Sequence, residues 1–255
     1  MDVINLFQPG SLVLFLLVAI RTTAALAVGP LAAWPGVPLP ARAFLGLGIA
    51  LVLAPVAPTA VPAAQLQLEP TVMLQELVLG LLFGVASTLF VSAVQLGAAL
   101  IDFQAGFTFA SALDPTSGRQ DGPIERFLGA FAAVLFLDLN GHFLFLFAFD
   151  DLFRIVPVGG TPHLATPEHV ATFFTGVVVA SLTMALPIVT LLLVIDVSLA
   201  VLNRAAPQFN IFAIGLPAKG GLALVALALL LPVLASQIQY LYGQLPKIVP
   251  ILVKN

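Results

Sequence analysis

The sequence predicts an all-α membrane protein built from about six long hydrophobic helices. Three observations lead there. Of 255 residues, 60% are hydrophobic and only 8% are charged. Mean hydropathy is +1.13. Uncharged apolar runs recur along the chain, and a membrane helix needs about 20 such residues. A soluble domain carries roughly 25% charged residues. This chain has too few charges to cover a water-facing surface.

The runs define the elements in order. Residues 3–20 and 22–41 are uncharged, with Arg21 between them. Residues 43–68, 77–101, 169–195 and 220–246 follow, and 127–149 is broken only by Asp138. Helices are therefore expected near 10–28, 42–58, 72–101, 126–150, 170–202 and 211–243. Proline falls mainly between them, as in "PGVPLP" and "APVAPTAVP". Pro187 and Pro232 fall inside helices and are expected to kink them. Gly80 and Gly84 have the GxxxG spacing that permits close helix approach. Glycine is also common in membrane helices generally, so the pair alone does not establish a contact. No internal repeat and no second domain is evident.

The N-terminus has one ambiguity. Residues 12–20 resemble a signal-peptide core, and Ala25-Leu26-Ala27 resembles a cleavage site. The preceding "MDVINLFQPG" has no Lys or Arg and carries Asp2. The first run is read as a retained helix.

Charge narrows the function. The net charge of -3 is spread thinly, without the clustered Lys/Arg that nucleic-acid binding requires. There are no cysteines, so disulfides and thiolate metal sites are excluded. No HExxH occurs, and no Ser pairs with a His at a recognisable spacing. No catalytic set, metal site or cofactor is expected. Orientation is undetermined. Arg42, Arg119, Arg126 and Arg204 fall on one side, and Arg154, Lys247 and Lys254 on the other. That balance is too even for the positive-inside rule.

Arg21, Glu76, Asp138 and Asp196 lie within or at the ends of apolar segments. An ionisable group at mid-bilayer costs roughly 2.5–3.5 kcal/mol on insertion scales. Such groups serve an ion or proton path, or they pair between helices. Segment-end positions favour the second reading for Glu76 and Asp196. Arg21 and Asp138 keep the first open. His142, in "DLNGHFLF", reads as a hydrogen-bonded packing residue.

The connection "DFQAGFTFASALDPTSGRQDGPIERF", residues 102–127, is unusually apolar. It begins with Phe103, Phe107, Phe109 and Leu113 around Gly106, and turns polar only from Asp114-Pro115. A connection of about 25 residues is long, and long loops are often functional. Two readings stand. The segment is a re-entrant plug, since hydrophobic constrictions gate pores by excluding water. Alternatively, the third helix runs on to about Ala112.

One stretch is specific. "NRAAPQFNIFAIGLPAK", residues 203–219, resembles the signature of the FliR family of flagellar type III export proteins, whose injectisome counterpart is SctT. The matching positions are Arg204, Pro207, Gln208, Asn210, Phe212, Ile214, Gly215, Pro217 and Lys219. "GFTFASALDPTS", "NGHFLF", "MALPIVTLLLVIDVSLAVLNR" and "RTTAALAVGPLAAWPGVPLPAR" resemble other parts of the family, so the likeness covers nearly the whole chain.

The resemblance implies a non-enzymatic export-gate subunit in the bacterial inner membrane, within the flagellar basal body. It implies kinked hairpins, with a FliP-like part over residues 1–165 and a FliQ-like hairpin over 166–255. The partners implied are FliP-like and FliQ-like subunits, an FlhB-like switch protein, membrane lipid and transient unfolded protein substrates. Residues 203–219 would form the bend of the hairpin, with Pro207 and Pro217 shaping the turn. Arg204, Gln208, Asn210 and Lys219 would meet neighbouring subunits or the channel mouth. Residues 103–122 would be the plug of the closed channel, and the assembly would shelter Arg21 and Asp138. The alternatives are injectisome use and, from another class, a small-solute secondary transporter. The latter needs repeated halves around a midplane site.

Overall fold

A computed structural model describes residues 9–32, 37–108, 121–162, 165–206, 208 and 211–253. Among these the protein is helical: α1 (Pro9–Ala27), α2 (Leu39–Leu53), α3 (Pro70–Ala105), α4 (Pro123–Asp138), α5 (Gly141–Ile155), α6 (Pro167–Ala205), α7 (Ile211–Tyr242) and α8 (Ile248–Leu252). The all-α membrane expectation holds. Four stretches among the described residues are long and apolar enough to cross a bilayer: Gly10–Ala27, Pro70–Ala105, Pro167–Ala205 and Gly215–Leu252. The broken pair α4 and α5 makes a fifth if counted as one span.

Proline sets several starts. Pro9, Pro70, Pro123 and Pro167 each open a helix. The first turn has no use for the missing N–H, and the fixed φ is already helical.

Two expected helices differ. The segment 42–58 is helical only to Leu53, which leaves α2 at 15 residues, too short to span. Pro55 follows within two residues; Ala54 before it keeps helical angles, but Pro55 has no N–H with which to continue the helical hydrogen bonds. The segment 126–150 is two helices. The chain breaks at Leu139–Asn140, where Asn140 takes a left-handed conformation with φ 55°. Asn tolerates that region better than most residues.

The long helices exceed what a bilayer requires. α3 has 36 residues and α6 has 39. At about 1.5 Å per residue each is over 50 Å long, against a hydrocarbon core of about 30 Å.

The chain divides into two compact units. The first holds Met1–Val91, Asn140–Thr175 and Gly243–Asn255. Here α1 and α2 pack as a hairpin, so close that a Cβ on Gly46 would lie 2.8 Å from the Thr23 backbone. Gly80 and Gly84 of α3 face the carbonyls of Arg21 and Ala25 in α1 with no room for a side chain. The GxxxG spacing is therefore a true close contact between helices. Phe83 of α3 meets Phe145 and Phe149 of α5 at 5.1 and 5.2 Å between ring centres. Such tilted aromatic pairs add stability beyond their burial. An isolated parallel bridge joins Thr59 to Val158.

The second unit holds Ser92–Leu139 and Gly176–Tyr242. Its core draws on Ile101 of α3, Leu128 and Phe136 of α4, Ile188 and Leu192 of α6, and Leu227 and Ile238 of α7. Gly97 of α3 lets the Ser181 carbonyl of α6 approach to 2.8 Å of where a Cβ would stand. Pro187 and Pro232, and also Pro217, are carried inside continuous helices.

Candidate functional site

The second unit concentrates the features singled out by sequence. α3 ends at Ala105, and Gly106 takes φ 85°, a conformation that favours glycine. That break ends α3 at Ala105; Phe107 and Thr108 beyond it are again helical, and residues 109–112 lie outside the described residues. Just before the break, the buried Asp102 turns its carboxylate to the start of α4. Oδ1 accepts from the Ile124 N–H at 3.1 Å and Oδ2 from the Glu125 N–H at 2.7 Å. The first N–H groups of a helix lack internal partners. The residue flanking α4 is Gly122, which has no side chain to cap them. Asp102 supplies the cap from 22 residues away, and its charge suits the positive end of the helix. Gly122 lies against the Asp102 side chain with no space for a Cβ. The segment between is thus closed at its neck.

Beyond the neck the chain touches α7. A Cβ on Gly106 would meet the Leu216 side chain at 2.5 Å, and one on Gly220 would lie 3.1 Å from the Phe107 ring. Phe103 points away from this packing and is 65% exposed. Phe109, Leu113, Asp114 and Pro115 lie outside the described residues.

The signature stretch divides between two helices and a turn. α6 continues to Ala205, with Arg204 exposed in its last turn, where a cation suits the helix dipole. Gln208 is exposed in the turn, and Pro207 and Asn210 lie outside the described residues. Phe212 belongs to the first turn of α7. The expectation that 203–219 is one bend, with Pro217 shaping the turn, is corrected. Pro217 is exposed inside α7, two turns from its start. Gly215 is buried there. Pro217 stands past the first turn, where its missing N–H leaves one helical hydrogen bond unmade, and the helix carries it nevertheless.

Lys219 is not a free cation. Its ammonium meets Asp196 of α6 at 2.7 Å and 3.0 Å. Asp196 Oδ2 also accepts from the Gln104 side-chain N–H of α3 at 2.8 Å. One carboxylate therefore joins three helices. Sequence reading had placed Asp196 as a segment-end or paired charge, and the pairing is what the structure shows. It had not singled out Asp102 or Gln104. The signal for Asp102 was an acid at a helix end followed by a helix start without a capping side chain.

Arg21 lies in the first unit, fully buried. It pairs with Glu76 of α3, donates to the Val156 carbonyl at 2.7 Å, and lies over the Phe153 ring at 4.4 Å. Glu76 Oε1 also accepts from the Gly159 N–H at 2.9 Å. Interhelical pairing is thus the observed state of both charges. Asp138 closes α4 and His142 stands in the first turn of α5, both exposed. His142 packs against Phe143 at 4.4 Å between ring centres.

The chain is similar to the flagellar biosynthetic protein FliR of Pectobacterium carotovorum, at 32% identity over 80% of this chain and 79% of the relative. It is similar to FliR of Escherichia coli K12, at 28% identity over 89% of this chain and 87% of the relative. The surface presentation of antigens protein SpaR of Salmonella typhimurium matches at 35% identity over 54% of this chain and 53% of the relative. The family described as "Bacterial export proteins, family 1" matches residues 12–245. The match runs across all the long helices, and the chain belongs to this family of bacterial export proteins.

Proposed function

We propose that this chain is a membrane subunit of the flagellar type III protein export gate, set in the bacterial cytoplasmic membrane at the basal body. Residues 1–165 form a FliP-like part and 166–255 a FliQ-like hairpin. Together with FliP-like and FliQ-like subunits the chain lines a central channel for unfolded proteins, and an FlhB-like switch protein meets its cytoplasmic end. The loop from Phe103 to about Gly122 closes the resting pore with its Phe side chains, which exclude water from a narrow passage.

The neck at Asp102 is the observation that carries the plug. A plug must project from a fixed root, and Asp102 holds both ends of the loop at one point. The many exposed apolar side chains of α6 and α7, among them Leu186, Val194, Val201 and Leu229, support a life among partner helices and lipid. Flagellar use is favoured over injectisome use by coverage. FliR relatives match 64% to 89% of the chain, and SpaR relatives 54% to 68%.

The test is purification in mild detergent with and without co-expressed FliP-like and FliQ-like subunits, read by native mass spectrometry. The expected result is this chain inside a larger complex with both. A stable monomer or dimer that ignores them would overturn the proposal.

A further inference from the structure

We propose that the cavity between α6 and α7 binds a membrane lipid whose head group carries an N–H or O–H donor. The site goes beyond the export reading and does not depend on it.

The cavity lies within the second unit and has a volume of about 490 Å³. Small-ligand sites span roughly 300–1,000 Å³. Val179 and Met184 of α6 and Leu241 of α7 form apolar wall. Thr183 of α6 and Ser236 and Gln237 of α7 form polar wall. No charged residue is among those that line it.

The polar wall is short of donors. Gln237 Oε1 is buried and has no hydrogen-bond partner among the described residues. The Thr183 and Ser236 hydroxyls donate to the carbonyls of Val179 and Val233, each at 2.7 Å. Their protons are thus spent, and their oxygens can still accept. Pro187 stands four residues after Thr183 and has no N–H, so α6 gives the Thr183 carbonyl no donor from that position. A buried acceptor is costly to leave without a partner. The terminal torsion of a Gln side chain is broad, so Oε1 can turn to a donor placed in the cavity.

The surroundings select the ligand. Both lining stretches fall inside the apolar spans Pro167–Ala205 and Gly215–Leu252. Val178, Leu182, Val233 and Tyr240, which neighbour the lining residues in sequence or belong to them, are exposed. An acyl chain in the bilayer can enter from that side. A docked helix would insert single side chains, and such a knob fills a hole made by about four residues. This cavity is lined by nine. Without a cation in the lining, a head group held by its negative charge finds no partner. The ammonium of phosphatidylethanolamine and the hydroxyl of a diacylglycerol both supply the missing donor. Phosphatidylcholine has similar chains and no such donor.

The test places the full chain, alone and with co-expressed FliP-like and FliQ-like subunits, in vesicles of phosphatidylethanolamine, phosphatidylcholine and diacylglycerol in equal parts. Lipid retained after extraction in mild detergent is counted by native mass spectrometry. The parent should retain the donor lipids about tenfold over phosphatidylcholine, the order expected of one hydrogen bond. Preference for one donor lipid alone would support the site and identify the head group. Gln237→Leu keeps the bulk and removes the acceptor, so it should hold the three lipids alike. Gly176 lines the cavity, and no atom lies within 4 Å of its Cβ position. Gly176→Trp should therefore fill the cavity and abolish the preference. Gly221→Trp has equal room outside the lining and should behave as the parent. If Gly176→Trp fails to fold, Gln237→Leu decides the matter. A parent without preference, or an unchanged preference in Gln237→Leu, would overturn the proposal. A preference that vanishes once the partner subunits assemble would assign the cavity to a partner helix and also overturn it. Each of these failures leaves the export reading standing.

Discussion

Asp102 and Glu125 are joined at 2.7 Å, carboxylate to backbone N–H, across 23 positions of sequence. The bond makes the end of α3 and the start of α4 one structural point.

Asp102→Ala should lower stability by about 2–4 kcal/mol, because it leaves one buried and one half-buried N–H without their charged acceptor. Asp102→Asn keeps one acceptor and should cost less. Thermal unfolding of the purified complex, followed by size-exclusion chromatography, ranks the two. Equal midpoints for Asp102→Ala and the parent would show that the cap contributes nothing.

Gly80→Leu should separate α1 from α3, since even a Cβ at that position collides with the Arg21 carbonyl. Overpacking typically costs about 1–3 kcal/mol and occasionally more. Gly48→Leu is the matched control, since no atom lies within 4 Å of its Cβ position. The first should reduce the yield of folded protein in detergent and the second should not.

Arg21→Met and Glu76→Gln should each be strongly destabilising, by about 3–5 kcal/mol, because one buried charge loses its partner. The double change Arg21→Met with Glu76→Gln removes both charges. It should cost less than the sum of two single losses, with a coupling of about 0.5–3 kcal/mol. A double-mutant cycle on unfolding midpoints measures it. Strict additivity would mean that the pair is not coupled.

The absence of native cysteine permits a clean cross-link. Phe107→Cys with Gly220→Cys places two thiols about a ring's length apart between the loop root and α7, within reach of a short bifunctional methanethiosulfonate. Cross-linking should tie the loop down and stop export of flagellar proteins, and a reducing agent should restore it. Export that continues through a fully cross-linked gate would show that the root need not move.

Arg204→Ala with Gln208→Ala should leave the fold intact, since both residues are exposed and exposed substitutions usually change stability by less than about 0.5 kcal/mol. The same change should abolish assembly with the partner subunits and motility. Normal motility would remove this stretch from the interface.

The helices were largely legible because their signals are local. Long uncharged runs bounded by proline and charge set α1, α3, α6 and α7 within a few residues of expectation. The shortfall of α2 and the break in the fourth segment were less legible. Both turn on single residues, Pro55 and Asn140, whose effect apolar length does not register. Pro217 misled in the opposite sense. A proline in a polar stretch reads as a turn, yet α7 carries it beyond the first turn, where it leaves one helical hydrogen bond unmade.

By itself the sequence determined that this chain belongs in a membrane, where its long helices run, and which family's signature it carries. Only the tertiary structure decided which charges meet. Arg21 finds Glu76 at a separation of 55 positions, Asp102 caps α4 at 22, and Asp196 gathers Gln104 from 92. Apolar length and helical period are properties of neighbouring residues. The pairing of a charge is set by which helices approach, and by how closely glycines such as Gly80 and Gly97 allow them to do so.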